Sequence, residues 1–384
     1  MIRHIVYECL PGAYAGGVQK MVFELASAQQ RAGADVQIWT PDAIRAGATE
    51  YFDGLPIRYF MPDPLFGLAR SHRMAREFAT LPAGTVLHAH STFNPLNLQV
   101  GNAAKQFHLQ VFYHPHGALD PLLFADWSFK SLKKRLYIRA FSGPNLNRST
   151  GVFALTPLER NQLLSLGITA PIHVVPNGIR PVSVAAADVG EALRRQHGLV
   201  ASDRVILFVG RITAKKRLED IILALSLLGT SAPHLLIAGS PDYDAEYGAK
   251  LFQLVRSCGC ASRVHWLGFM NEDAKAAAYA AANVFVHASE SEGMALAILE
   301  AMSAGLPVVA TRGCYMSNAA TAQALVQCEQ GPEALAKALS PLLLNPAAAR
   351  AQGQTGQAYV HRVHDWATLA SATLKIYAEG SVAS

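Results

Sequence analysis

Short apolar runs alternate with amphipathic helical patterns along most of this chain, and this alternation limits the folds that the chain can adopt. In the first half, the apolar runs cover residues 2–9, 35–40, 85–90, 110–113, 151–154 and 173–175. The pattern then restarts, with runs at residues 205–209, 234–238, 263–267, 284–287 and 307–310. Strands that alternate with helices form parallel sheets covered by helices. The sequence therefore predicts an α/β fold with two doubly wound domains.

The length of 384 residues also favours two domains, because a single hydrophobic core rarely grows beyond about 250–300 residues. Hydrophobic residues make up 51% of the chain and charged residues 16%, which is enough apolar material for two cores. We place the first domain at residues 1–180 and the second at residues 181–365, with Pro181–Asp188 as the linker. A final helix is predicted from Trp366, and the active site is expected in a cleft between the domains.

Composition excludes several classes of protein. No apolar segment is long enough to predict a membrane-spanning helix, and Glu8 interrupts the first apolar run where a signal peptide would continue. The five cysteines lack the spacing of metal ligands, so we expect reduced thiols in a cytoplasmic protein. The net charge of +5 suits an anionic substrate or membrane surface, but no nucleic-acid motif accompanies it.

A glycine pair, Gly16-Gly17, lies between the first predicted strand and a helix predicted over Val18–Ala32. Glycine would let the amides at the start of this helix approach a phosphate. A tight turn explains the pair equally well.

Basic residues follow the strand predicted over 205–209. Gly210-Arg211 comes directly after it, and Lys216 starts a helix predicted over 216–228. Ligands of open α/β sheets bind at the carboxyl ends of the strands. Arg211 and Lys216 are therefore placed to bind a diphosphate.

Two glutamates, Glu292 and Glu300, flank an apolar segment inside a helical pattern predicted over Glu292–Ser303. A charge at the helix start explains Glu292. An unpaired carboxylate at Glu300, in an otherwise apolar helix, would be costly to bury. We therefore expect Glu300 to bind hydroxyl groups of a ligand.

Histidines end two predicted strands of the first half. His90 closes the run at 85–90, and His116-Gly117 follows the run at 110–113. At strand ends they are expected to face the cleft.

Taken together, these residues resemble the retaining nucleotide-sugar glycosyltransferases of family 4, which have the GT-B architecture of two Rossmann-like domains facing each other across a cleft. The resemblance spans nearly the whole chain. It rests on Gly16-Gly17, His88-Ala89-His90, His116-Gly117, Val175-Pro176-Asn177-Gly178-Ile179, Val209-Gly210-Arg211 with Lys216, Leu267-Gly268-Phe269, Glu292 with Glu300, and His364-Asp365-Trp366 with Tyr377.

The resemblance also implies roles for the matched residues. The catalytic residues would be His116, Arg211, Lys216 and Glu292. Arg211 and Lys216 would neutralise the departing diphosphate, while Glu292 would contact the transferred sugar and His116 would position it. The donor-binding residues would be Gly16, Gly17, Gly210, Phe269, Gly293, Met294, Ala295 and Glu300. Glu300 would hold the ribose hydroxyls, and Phe269 would border the base.

By the same resemblance the enzyme needs no metal or other cofactor, because the amides that follow Gly293 would stabilise the charge that a metal ion otherwise stabilises. The terminal helix at 366–384 would cross back onto the first domain. The implied reaction is retaining transfer of a hexose-type sugar from a nucleotide-diphosphate sugar to a saccharide or lipid-linked saccharide, in cell-surface polysaccharide biosynthesis.

Other functions compete with this prediction. An epimerase or a sugar-phosphate synthase of the same architecture would act on a small soluble acceptor. A nicotinamide oxidoreductase would carry a Gly-x-Gly-x-x-Gly fingerprint, which is absent, and a non-catalytic module would lack Glu300, Arg211 or Lys216. Arg217 and the segment Gly313–Asn318 depart from the family pattern, so the donor sugar stays open.

A basic segment between Lys130 and Arg139 predicts one more site. Its lysines and arginines mix with aromatic and aliphatic residues in a helical pattern, a composition that suits an anionic membrane surface. A solvated helix with a buried apolar stripe is the alternative. We predict peripheral contact with the inner face of the membrane.

Overall fold

The computed structural model describes residues 1–9, 16–63, 70–182, 187–229 and 233–380. The chain divides into two compact units, of which the first comprises Met1–Gly178 with Asp365–Ser384 and the second Ile179–His364.

The first unit is built on an eight-stranded sheet. Its strands are β1 (Ile2–Ile5), β2 (Val36–Pro41), β3 (Thr49–Phe52), β4 (Leu55–Phe60), β5 (Val86–His90), β6 (Gln110–His114), β7 (Gly151–Ala154) and β8 (Ile172–Val174). They run in the order β3-β4-β2-β1-β5-β6-β7-β8. Neighbours pair in parallel except β3 and β4, which form an antiparallel hairpin.

Helices connect these strands. They are α1 (Gly17–Arg31), α2 (His72–Phe78), α3 (Pro95–Phe107), α4 (Phe129–Tyr137), α5 (Gly143–Asn147) and α6 (Pro157–Ser165). A π-helical segment, Ile138–Ser142, joins α4 to α5.

The second unit contains a six-stranded sheet. Its strands are β9 (Val205–Val209), β10 (His234–Ala238), β11 (Val264–Gly268), β12 (Val284–His287), β13 (Val308–Thr311) and β14 (Val326–Cys328). All neighbours pair in parallel, in the order β11-β10-β9-β12-β13-β14. Its helices are α7 (Ala187–Gln196), α8 (Leu218–Leu227), α9 (Ala245–Ser257), α10 (Glu272–Ala281), α11 (Leu296–Ser303), α12 (Ser317–Thr321), α13 (Pro332–Leu344) and α14 (Pro346–Val363). The predicted pair of doubly wound α/β domains is confirmed.

The central strands are buried along their whole length. Every residue of β5, β6, β9 and β12 is buried. Strands covered by helices on both faces are expected to be apolar throughout, rather than alternating. In this chain β5 and β6 also contain buried histidines, which belong to the histidine cluster described below.

The last helix, α15 (Trp366–Gly380), belongs to the first unit and packs on α1. The buried Trp366 indole Nε1 donates a hydrogen bond of 2.6 Å to Glu24 on α1. A Cβ atom on Gly178 would lie only 2.3 Å from the Trp366 ring, so the turn at Gly178 requires glycine to accommodate that ring. Residues 381–384 of the predicted terminal helix lie outside the described part of the chain.

Several local predictions were wrong. Lys216 ends a short 3-10 helix, Ala214–Lys216, and α8 begins only at Leu218, because Arg217 adopts a left-handed backbone conformation with φ 51°. Similarly, α11 starts at Leu296, so Glu292 lies in the loop before it. The predicted linker runs into α7, which starts at Ala187, and its residues 183–186 are outside the described ranges.

The hairpin β3–β4 and the short edge strand β14 were missed. Alternating exposure along β3 weakens its apolar signal. Its turn, Asp53-Gly54, has positive φ at both residues, and this dipeptide is a strong hairpin signal that could have located it. Across the described residues, no helix has the length and apolar character needed to cross a bilayer.

Candidate active site

A lysine and a carboxylate meet at the carboxyl ends of neighbouring strands β9 and β12. Lys216 Nζ forms an ion pair with Glu292 Oε1, and both side chains are about seven-eighths buried, with exposures of 14% and 13%. Their loops are joined by a backbone hydrogen bond of 3.0 Å from Glu290 N to Lys215 O. The sequence placed Lys216 at the correct sheet edge, but it did not place Glu292 there or predict that the two residues pair.

His287 lies beside both members of this ion pair. The sequence did not identify it as a site residue. Its Nε2 lies 3.4 Å from Lys216 Nζ and 3.5 Å from Glu292 Oε1. Burial, followed by the charge of Lys216, lowers the pKa of His287, so the ring is neutral near pH 7. The position of His287 at the end of β12 is the same signal that singled out His90.

The charge state of Glu292 follows from the same contacts. Burial alone would raise the pKa of Glu292, but the charge of Lys216 and the bond from His287 outweigh it and hold this pKa well below its usual range. Ser289 Oγ also donates to Glu292 Oε1. Glu292 is therefore an ionised, weakly basic carboxylate, suited to binding a hydroxyl group rather than to removing its proton.

Arg211 lies in the loop after β9 but is exposed. Its Nη1 donates a 2.8 Å hydrogen bond to Tyr243 Oη. Its guanidinium carbon, Cζ, lies over the Tyr243 ring, 5.3 Å from the ring centroid. Among the described residues it contacts neither Glu292 nor Glu300. Because it is exposed, its guanidinium can turn toward an incoming anion.

Glu300 lies on α11 and is 4% exposed, as the sequence predicted for a buried carboxylate. However, it is not unpaired. Lys275 Nζ lies 3.2 and 3.1 Å from its two oxygens, and Tyr279 Oη donates a 2.9 Å hydrogen bond to Oε2. The cost of burying Glu300 is thus already offset by α10, so that cost alone does not require ligand hydroxyls.

The remaining predicted donor-binding residues of the second unit, apart from Glu300, lie in the loops that follow β9, β11 and β12. Gly293, Met294 and Ala295 form the loop that leads into α11, which has no side-chain cap at Ala295. The first amides of α11 are thus available to an anion. Phe269 follows β11 and is 81% exposed, a surface on which a base can stack.

In the first unit, Gly16 precedes α1 and Gly17 is its first residue. Gly16 has an extended backbone, and a Cβ atom there would meet nothing within 4 Å. Close packing therefore does not explain this glycine.

His116 lies just past β6 in a left-handed conformation, with φ 57°, followed by Gly117 with φ 74°. Buried Glu159 on α6 holds this turn, because its carboxylate accepts 2.7 Å hydrogen bonds from Gly117 N and Leu155 N. Glu159 was missed, although Thr156 and Glu159 have the spacing of a helix capping box.

His90 is the last residue of β5, as predicted, but its side chain is buried, with 1% exposed. Its Nδ1 is 3.1 Å from His116 Nε2. Burial lowers the pKa of His116 to about 3, so this ring binds partners as a neutral imidazole.

Two doubly wound α/β units, with a lysine and a carboxylate at the carboxyl ends of strands in the second sheet, fit the GT-B class of sugar-transferring enzymes. The family described as glycosyl transferases group 1 matches residues 189–359, and the family described as glycosyl transferase 4-like domain matches residues 16–178. The chain therefore belongs to the group 1 glycosyltransferases of family 4 and is a transferase.

Relatives extend over nearly the full chain. A D-inositol 3-phosphate glycosyltransferase from Kineococcus radiotolerans is 26% identical over 94% of this chain and 90% of its own length. A phosphatidyl-myo-inositol mannosyltransferase from Mycobacterium tuberculosis is 27% identical over 94% of this chain and 93% of its own.

A solved structure shares the fold. Anabaena HepE, in complex with UDP and glucose, superimposes with a TM-score of 0.78 at 18% identity, over 98% of this chain and 99% of that one.

Proposed function

We propose that this glycosyltransferase moves a hexose-type sugar from a nucleotide-diphosphate sugar to a saccharide or lipid-linked saccharide, with retention of configuration, in cell-surface polysaccharide biosynthesis at the cytoplasmic face of the membrane. The observation that carries the proposal is the buried Lys216–Glu292 ion pair beside the uncapped start of α11. A cation and helix amides together suit a departing diphosphate.

Each group then has a separate role in the proposed reaction. Lys216 and the amides after Gly293 stabilise the charge that develops on the diphosphate, and Arg211 closes over it. Glu292 accepts hydrogen bonds from the sugar hydroxyls, and its depressed pKa makes it a poor base. The departing phosphate, rather than a protein carboxylate, receives the proton of the acceptor hydroxyl. The acceptor therefore attacks the same face of the sugar that the phosphate leaves.

A screen of nucleotide sugars tests the donor class. Thermal stabilisation by one donor, together with release of its nucleoside diphosphate, is the expected result. HepE was solved with UDP and glucose, so UDP-glucose enters the screen first, alongside GDP-mannose. Failure of every nucleotide sugar either to stabilise the protein or to be consumed would contradict the proposal.

A sugar-phosphate synthase is the second candidate. It is favoured by the relative named D-inositol 3-phosphate glycosyltransferase, whose name gives a small phosphorylated acceptor. The other relative is named for a phosphatidyl-inositol acceptor. Comparing soluble sugar phosphates with lipid-linked saccharides as acceptors separates the two candidates, and nucleotide release without any glycoside would instead indicate an epimerase.

We predict that transfer continues in the presence of EDTA. Lys216 already supplies a positive charge beside Glu292, and within the described residues no cluster of three possible metal ligands includes a carboxylate. The initial rate, measured with and without 5–10 mM chelator, is expected to change less than about twofold, because the fixed charges remain. A rate that is lost and returns only with Mg²⁺ or Mn²⁺ would contradict this.

The proposed membrane contact rests on α4 and the loop before it. Only part of the predicted apolar stripe is buried. Ile138 is 6% exposed, but Phe129 is 74%, Leu132 46% and Leu136 57% exposed, and Trp127 in the preceding loop is 90% exposed. Lys133 Nζ lies over the Phe129 ring, 5.1 Å from the ring centroid. Exposed aromatics beside lysines suit the headgroup region of an anionic bilayer. Arg135 has another role, since it donates to the carbonyls of residues 124–126 and fixes the loop.

For that reason the test variant leaves Arg135 in place. Replacing Lys130, Lys133 and Lys134 with glutamine is expected to weaken binding to anionic vesicles by about a hundredfold, since each lysine near such a surface contributes about 1 kcal/mol. Vesicle sedimentation measures the partitioning. A matched variant, with Lys250, Arg256 and Lys337 changed to glutamine, removes the same charge from the second unit. Equal partitioning of both variants and the wild type would refute membrane contact but leave the transferase assignment intact.

A further inference from the structure

Five histidines form one buried row in the first unit. They are His4 on β1, His88 and His90 on β5, His114 at the end of β6, and His116 just beyond it. His4 is in register with His88, and His90 with His114, so these four side chains share one face of the sheet. Four of the five residues are at most 3% exposed. Such a density of imidazoles inside a core is unusual, because polar rings are costly to bury.

Three of these rings are each held at one nitrogen. His4 Nε2 donates to Gln29 Oε1 on α1 at 2.8 Å, and His88 Nδ1 is 2.7 Å from Tyr377 Oη on α15. His90 Nδ1 is 3.1 Å from His116 Nε2. Metal-binding histidines usually have their second ring nitrogen fixed by a partner in this way, which orients the ring.

The other nitrogens of His4 and His90 face each other. His4 Nδ1 and His90 Nε2 are 2.9 Å apart, and His88 Nε2 is buried with no hydrogen-bond partner among the described residues. One nitrogen from each ring lies within 4.8 Å of the others. Nitrogens bound to one tetrahedral zinc ion, each at about 2.0–2.1 Å, lie about 3.3 Å apart. Nitrogens up to 4.8 Å apart would therefore have to move closer by up to about 1.5 Å to share a single ion.

We propose that His4, His88 and His90 form a binding site for a zinc-class divalent transition metal. Three imidazoles without a carboxylate or thiolate favour such an ion over Mg²⁺ or Ca²⁺. The ion would give the buried His88 Nε2 a binding partner. It would also replace the proton that His4 Nδ1 and His90 Nε2 share in the hydrogen bond between them. Because the ligands' partners lie on α1 and α15, the site would tie both helices to the sheet.

A second group, His90, His114 and His116, also brings its nitrogens within 4.8 Å. It is the weaker candidate, because neither nitrogen of His114 has a hydrogen-bond partner in the described part of the chain, so nothing orients that ring. Among the five histidines, His116 alone is partly exposed.

The proposal is tested on the full chain prepared without a polyhistidine tag. After exposure to Zn²⁺ and dialysis, elemental analysis is expected to find about one zinc per chain, bound through fully formed ligands. Co²⁺ in place of zinc should give the visible absorption of a cobalt–imidazole complex, and zinc should raise the melting temperature. These readouts do not depend on transferase activity, so they stay valid if the proposed function fails.

Variants locate the site. His88→Gln and His4→Gln should each lose the bound zinc and its effect on the melting temperature, whereas His265→Gln, in a half-buried pair 3.0 Å from His234, should retain both. If a variant fails to fold, the cobalt spectrum of the wild type still decides. Wild-type protein that retains no stoichiometric metal, or a folded His88→Gln variant that binds zinc as the wild type does, would overturn the proposal and leave the row as a chain of hydrogen bonds.

Discussion

Replacing Lys216 with alanine is expected to lower turnover by about 10²–10³-fold, the usual cost of removing one group that stabilises transition-state charge. The structure places Nζ against Glu292 and 3.4 Å from His287, at the carboxyl end of β9. In the proposed reaction this cation stabilises the departing diphosphate, whose charge grows as the sugar bond breaks. The loss should therefore appear mainly in kcat, with a smaller change in the KM of the donor.

Removing Lys216 also leaves Glu292 as an uncompensated buried charge, which costs stability on its own. A Lys216→Met, Glu292→Gln double variant removes both charges and should recover the melting temperature without recovering turnover. Lys250→Ala, an exposed lysine paired with Glu246, is the control for loss of a lysine. Wild-type turnover in a folded Lys216→Ala variant would remove this residue from the mechanism.

Replacing Glu300 with alanine is expected to have the second large effect on catalysis. If Glu300 holds the ribose hydroxyls, losing two hydrogen bonds to a charged group, at about 1.5–3 kcal/mol each, lowers kcat/KM by about 10²-fold or more. The structure offers a competing role, because Glu300 also joins α11 to α10 through Lys275 and Tyr279. That role predicts lost stability but no specific loss of donor affinity.

Donor-induced thermal stabilisation separates the two roles of Glu300. The donor-binding role predicts that Glu300→Gln, which preserves shape, is no longer stabilised by the donor, whatever stability it loses with the Lys275 ion pair. Lys275→Met disturbs the same α10–α11 contact from the other side, and it should weaken the fold while leaving much of the donor effect. A Glu300→Gln variant that responds to donor as the wild type does would assign Glu300 to structure alone.

Hydrophobic periodicity predicted the elements that are defined by residues close together in the sequence. The buried strands β7, β9, β10 and β12 coincide with predicted runs, because strands covered on both faces are continuously apolar. Strand ends are likewise visible in a sequence, so Arg211 and Lys216 could be placed at the carboxyl end of β9. The hairpin β3–β4 was missed because it is short and half exposed, although its Asp-Gly turn was readable.

Contacts between distant segments could not be predicted. The partners of Glu300 come from α10, and those of His4 and His88 come from α1 and α15. A single sequence shows that a buried carboxylate or imidazole needs a partner, but it does not show which segment supplies one. The left-handed Arg217, which ends the 3-10 turn at Lys216, is hidden for a related reason, because arginine seldom adopts this conformation.

The central claim is that the chain transfers a sugar from a nucleotide-diphosphate donor with retention. The most direct test incubates the enzyme with its donor and an acceptor, quantifies released nucleoside diphosphate against glycoside by mass spectrometry, and reads the new anomeric configuration by NMR. We expect one nucleoside diphosphate per glycoside and the same anomeric configuration as in the donor. Nucleoside diphosphate released without any glycoside, or a glycoside of inverted configuration, would contradict the account.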